Sequence, residues 1–146
     1  MFTNTSLFPD VNVWVALAHA RHPHHKAATL WIDPLGLEYR IYFCRLTQLG
    51  LLRLLTTRSA MGEDVMPQSA AWKIYDLFFQ DSRNRYLDEP PGMEPRFRLR
   101  TNRREASPKQ WADGYFAAFA ETAGLTLVTF DKALAGRAKG SVLLKS

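Results

Sequence analysis

The chain has 146 residues, one cysteine and a formal net charge of +5, from nineteen basic and fourteen acidic side chains. That length suits one domain spanning residues 1–146, and the lone Cys44 excludes an internal disulfide and points to a reducing, cytoplasmic setting. No apolar run approaches the roughly 20 residues of a membrane span, no signal-peptide pattern opens the chain, and the basic balance favours a polyanionic partner.

The first unit extends from about Thr3 to Ala20. Ser6-Leu7-Phe8 reads as the end of a short strand, which Pro9 should stop or distort because it cannot donate to a ladder. Asp10 then falls just beyond a strand's C-terminal end, where open α/β sheets place their ligands. Asn12 is expected to cap the helix that starts with Val13-Trp14-Val15-Ala16-Leu17, and Asp10 taken alone could equally be a cap.

All four histidines lie in His19-Ala20-Arg21-His22-Pro23-His24-His25. Zinc is the chemically interesting reading, but no further Cys or acid completes a ligand set, which favours a helix–loop–helix junction. The next helix ends near Asp33, ahead of Pro34 and Gly36. Arg40-Ile41-Tyr42-Phe43-Cys44 reads as a strand, with Cys44 in a packing role. The leucine-rich segment 45–57 reads as a helix buried on more than one side, with Gln48 in its first turn beside the strand end.

Residues 58–67 look like a polar connection, and Pro67 opens a helix with Ala71, Trp72, Tyr75, Phe78 and Phe79 along it. This aromatic stripe suits a core, and its size also admits a partner surface. Arg85-Tyr86-Leu87 suggests a short strand, and residues 88–104 a long loop with three prolines and five arginines. Those arginines are Arg96, Arg98, Arg100, Arg103 and Arg104, a candidate grip on a nucleic-acid backbone such as RNA, with a solvated loop or a patch for an acidic protein the equal alternative.

Ser107 and Pro108 suit the start of a helix that Gly124 stops. A strand over 125–130 leads to Asp131, which could itself cap the following Lys132-Ala133-Leu134, and Val142-Leu143-Leu144 adds a last strand. Asp113 lies off the polar stripe of Gln110, Gly114 and Glu121, towards Phe116 and Ala120. A carboxylate so placed costs free energy unless paired or bound to a cation. The order β-α-α-β-α-α-β-α-β-α-β argues for a parallel sheet covered by helices on both faces. Glycine-rich phosphate loops, CxxC pairs and nucleophile motifs are missing from the sequence, so no covalent mechanism is suggested.

Four segments in this order, Asp10-Val11-Asn12-Val13-Trp14-Val15-Ala16-Leu17, Thr47-Gln48-Leu49-Gly50-Leu51-Leu52-Arg53-Leu54, Trp111-Ala112-Asp113 through Ala117-Ala118-Phe119-Ala120, and Leu127-Val128-Thr129-Phe130-Asp131, resemble the PIN domains of VapC-type toxins. The resemblance covers nearly the whole chain. It implies a three-layer α/β/α sandwich with a central parallel sheet of four to five strands. It also implies a Mg²⁺- or Mn²⁺-dependent endoribonuclease, a cognate VapB-type antitoxin and a homodimer, for which the helix around Trp72 to Phe79 is a candidate surface. Three of the family's acids carry over, as Asp10, Asp113 and Asp131, which would hold the metal. At the fourth position the family's Glu is replaced by Gln48, which can accept a hydrogen bond but carries no charge and cannot act as a base. A site short of one charge could be a weakened enzyme or an RNA- or protein-binding module. Asn12 and Thr129 are candidates to aim the carboxylates, although capping and strand packing would also account for them. A receiver-like signalling domain is the rival fold, and the absence of an acidic neighbour beside Asp10 argues against it.

Overall fold

A computed structural model describes residues 5–146; the start of the first unit expected near Thr3 lies outside them. Strand β1 (Ser6–Pro9) leads into helix α1 (Val11–Ala18) and, after the histidine turn, α2 (His25–Ile32). Strand β2 (Arg40–Phe43) is followed by α3 (Arg45–Leu55), α4 (Arg58–Met61), a 3₁₀ turn at Gly62–Asp64, and α5 (Gln68–Phe78). Strand β3 (Asn84–Tyr86) precedes α6 (Met93–Thr101) and the long α7 (Lys109–Ala123). Strand β4 (Thr126–Thr129), the short α8 (Lys132–Ala135) and β5 (Val142–Leu143) complete the order.

The five strands form one wholly parallel sheet in the order β3-β2-β1-β4-β5. Alternation along the strands divides the core in two. Leu7, Ile41, Phe43 and Val128 face one layer with Trp14, Leu51, Leu55 and Tyr75, while Phe8 and Leu127 face the other with Phe116, Phe119, Met93 and Leu134. Trp14 stacks on Phe43 at 3.8 Å between centroids, and Phe8 on Phe119 at 4.7 Å, so aromatic pairs pin both faces of the sheet.

Four expectations change. Pro9 belongs to β1 and pairs in register with Val128. The pairing to β2 ends at Leu7, so no partner asks for the missing N–H, and Asp10 N–H donates to Val128 O at 3.0 Å instead. Asn12 is not a cap: the helix begins at Val11 and Asp10 is its N-cap. The connection at 58–67 contains α4 and the 3₁₀ turn. The supposed loop at 88–104 contains α6, whose Pro95 sits in the first turn, where no intrahelical N–H bond is due.

The start of α7 lies close to its expected place. Pro108 already has helical angles, and the Ser107 carbonyl, not its hydroxyl, accepts the Gln110 N–H at 3.0 Å. Gly124 ends the helix at φ 71°, as a left-handed stop should.

Candidate active site

The C-terminal ends of the central strands β1 and β4 bring the acids together. Asp10 caps α1: its Oδ1 accepts from Val13 N–H at 3.3 Å, while the Thr129 hydroxyl donates to its Oδ2. Thr129 is fully buried at the end of β4, and its Oγ1 also accepts the Asp131 N–H at 2.9 Å. One hydroxyl thus joins the two acids across neighbouring strands and holds Asp10 in one orientation.

Asp131 is the N-cap of α8, as the sequence allowed. Its Oδ1 takes the N–H groups of Ala133 and Leu134 at 2.9 and 3.2 Å, and its Oδ2 takes the Lys109 ammonium at 2.8 Å. Asp113 is buried on α7, one turn after Lys109, and no hydrogen bond reaches its carboxylate among the described residues. Its place off the polar stripe was legible from the helical spacing; the lysine one turn before it was overlooked.

The electrostatics differ among the three. Burial pushes the Asp10 carboxyl above the ordinary carboxylate range, opposed by the Thr129 hydroxyl and the Val13 and Asn12 N–H groups, with the Asp131 charge adding to the rise. Burial likewise raises Asp113, partly offset by Lys109 and Arg137. Asp131 goes the other way, held low by the Lys109 hydrogen bond. The Lys109 ammonium is stabilised by that bond and also by the charges of Asp113 and Asp10. It is thus a cation within the field of all three acids.

That observation tests whether a divalent ion fits. The donors are carboxylate oxygens, the kind Mg²⁺ and Mn²⁺ prefer, and a positive charge is already drawn to them. They are not closed into a cage: among the described residues no three His, Cys, Asp or Glu side chains stand ready to hold a metal. The set fits an ion that keeps several waters.

Gln48 is buried in the first turn of α3, beyond the end of β2, the strand beside β1. Its Oε1 accepts from Arg45 Nη1 at 2.5 Å. Asn12 is exposed, and only its backbone N–H acts on Asp10.

The arginine cluster divides. Arg100 donates to Arg137 O at 2.7 Å and to Glu121 at 2.5 Å, and Arg96 stands 3.5 Å from the same glutamate. Arg98 pairs with Glu94 one turn earlier, at 3.0 Å. Arg103 and Arg104 are exposed and make no ion pair among the described residues. Between α6 and the start of α7 lies an open cleft of about 810 Å³, lined in part by Phe97, Arg98, Arg103 and Trp111.

The histidines are structural. His19 Nε2 meets Asp64 at 2.9 Å, His25 Nδ1 meets Ala16 O at 2.7 Å, and His22 Nδ1 accepts the His24 N–H at 3.0 Å. His24 stacks on Phe130.

A family model described as the PIN domain matches residues 7–140. The chain belongs to the PIN-domain family. Within it, the VapC type is shown by 43% identity over 131 residues to ribonuclease VapC41 of Mycobacterium tuberculosis, covering 87% of this chain and 90% of that one. Two solved structures share the fold. VapBC2 from Rickettsia felis, bound to a DNA fragment from its promoter, superposes with a TM-score of 0.68 at 13% identity, covering 96% of this chain and 99% of that one. The sarcin–ricin-loop-cleaving toxin VapC20 of M. tuberculosis gives 0.61 at 18% identity, covering 89% and 93%. In this PIN domain Asp10 and Asp131 follow β1 and β4 at the C-terminal edge of the parallel sheet, and Gln48 lies just beyond β2.

Proposed function

We propose that the chain is a divalent-metal-dependent endoribonuclease, the toxin of a VapBC-type pair, with Asp10, Asp113 and Asp131 holding Mg²⁺ or Mn²⁺. The observation that carries this reading is that Asp131 holds the Lys109 ammonium at 2.8 Å while Asp113 and Asp10 act on the same ammonium through their charges.

Each residue has a task. Thr129 and the α1 N-terminus fix Asp10 in one orientation, each of its oxygens keeping a lone pair beyond the bond it accepts. Asp131 offers one oxygen, since the other is committed to α8. Asp113 adds a buried negative charge without a donor to satisfy it. A divalent ion bound there supplies charge neutralisation and a water of lowered pKa. Attack by a water on the phosphodiester leaves the ribose 2′-OH out of the reaction, so the expected products are a 5′-phosphate and a 3′-hydroxyl. Arg103 and Arg104 lie free to meet phosphates, and the Trp111 and Phe97 cleft offers aromatic faces to unpaired bases. A VapB-type antitoxin would restrain this activity by covering the same surface.

Incubating the full chain with an RNA pool and Mg²⁺ or Mn²⁺ tests the reading. Cleavage should vanish in EDTA and fall at least about 100-fold in Asp10→Asn and Asp113→Asn, as befits loss of a charge-stabilising group. Ends bearing a 2′,3′-cyclic phosphate, or no metal-dependent cleavage of any RNA, would overturn it.

A further inference from the structure

Arg45 opens α3 immediately beyond the end of β2, and two neighbours hold it. Its Nη1 donates to Gln48 Oε1 at 2.5 Å, and its Cζ lies 5.2 Å from the centroid of the Tyr86 ring. Gln48 in turn is buried and lies against the Tyr75 hydroxyl. Arg45 itself is exposed and makes no ion pair among the described residues. A guanidinium has five N–H donors, so a carbonyl contact and a ring contact leave most of them, and the whole charge, for a ligand.

Its position gives that charge a direction. Along the C-terminal edge of the sheet, β3 ends in Tyr86, β2 leads to Arg45 and Gln48, β1 to Asp10, and β4 to Thr129 and Asp131. The edge is positive over β2 and negative over β1 and β4. A nucleic-acid strand lying along it with one phosphate at the acids brings a neighbouring phosphate towards β2. Guanidinium is the side chain best matched to a phosphate.

We propose that Arg45, positioned by Gln48 and Tyr86, forms a phosphate-binding subsite for the RNA strand, next to the bond that is cut. The inference rests on the ribonuclease reading and explains the amide at position 48. A glutamate there would pair with the guanidinium and cancel its charge. The glutamine carbonyl fixes the same group and leaves it charged. Gln48 is then a positioning residue, acting through Arg45.

The test is binding of a labelled, random-sequence single-stranded RNA to the full chain in EDTA, followed by fluorescence anisotropy over a salt series. Arg45→Ala should weaken binding about tenfold and reduce the salt slope by about one. Gln48→Glu should do the same while keeping the arginine. Arg45→Lys should keep the slope and lose part of the affinity, which separates charge from stacking and guards against a folding defect. Affinity for Mn²⁺, read by electron paramagnetic resonance, should be unchanged in Arg45→Ala. Wild-type affinity and slope in Arg45→Ala, or wild-type RNA binding in Gln48→Glu, would overturn the subsite. If the wild-type chain binds RNA with this arginine dependence and never cuts, the ribonuclease reading fails and the subsite stands. If it cuts and Arg45→Ala binds and cuts alike, the subsite alone fails.

Discussion

Asp113 holds a carboxylate on the buried face of α7, beside Phe116 and Ala117, where no N–H or hydroxyl among the described residues bonds to it. Its raised pKa means that the folded chain holds this proton more tightly than the unfolded chain does. Stability therefore falls as pH rises from the ordinary carboxylate range through the raised value, and the deficit persists above it. Asp113→Asn should accordingly be more stable than wild type at neutral pH without metal, by on the order of 1 kcal/mol, and lose that advantage in acid. Thermal melts at several pH values check the sign. Saturating Mn²⁺ should reverse the order, because only the wild type keeps all three acids for the ion. The spacing along the sequence already separated Asp113 from the polar stripe, and both Asp10 and Asp131 followed strands as expected. Thr129 was harder to read. A threonine at a strand end serves packing as readily as chemistry, and only the parallel register of β1 with β4 shows that its hydroxyl reaches Asp10.

At the scale of elements, the strands and most helices were legible because apolar runs and punctuating Pro and Gly agree. Helix α6 was not. Three prolines and a run of arginines obscure it, and its apolar contacts are few: Met93 is buried and Phe97 meets Trp111 and Tyr115 of α7. Gly92, at φ 79°, turns the chain into it, a conformation that follows from glycine but is invisible without the fold. Another unread device is Arg83. It donates to both Asp81 carboxylate oxygens and to the carbonyls of Ile32 and Leu35, joining the end of α2 to the start of β3. Arg83→Ala leaves the Leu35 carbonyl without its donor, takes one of two donors from Ile32 O and frees Asp81, and should cost on the order of 2 kcal/mol, measured by urea denaturation at neutral pH. Asp81 is held low by the same arginine, so its share of that stability is present above the ordinary carboxylate range and is lost as pH falls through the depressed value.

For the whole molecule, the two aromatic-pinned cores fix the sheet, and the sheet gathers chemistry at one edge. None of the described helices is long and apolar enough to cross a membrane. Burial raises the pKa of Asp10 and Asp113, so a metal held by these acids should displace their protons in the range just above the ordinary carboxylate pKa. Affinity for Mn²⁺ should therefore climb with pH across the range above the ordinary carboxylate pKa. A calorimetric titration in buffers of different ionisation enthalpy reads the protons directly. The overall charge of +5 draws RNA towards an edge whose centre is acidic, and the basic residues that resolve this contradiction come from separate elements: Arg45 from α3, and Arg103 and Arg104 from the turn after α6.

The contact between Lys109 and Asp131 has a consequence for how the protein waits. Because the Lys109 ammonium already pairs with Asp131, the chain carries its own counter-ion, and metal uptake at the proposed site would exchange one cation for another. The Lys109 side chain is largely exposed, so its ammonium would have room to leave the acids when an ion binds. Chelators should then disarm the wild-type chain while Lys109 keeps part of the acids' charge compensated. Lys109→Met removes the resident cation, and its melting temperature should fall further in EDTA than that of the wild type. Such a chain can be made, stored and held empty, ready for the moment at which metal and RNA are both at hand.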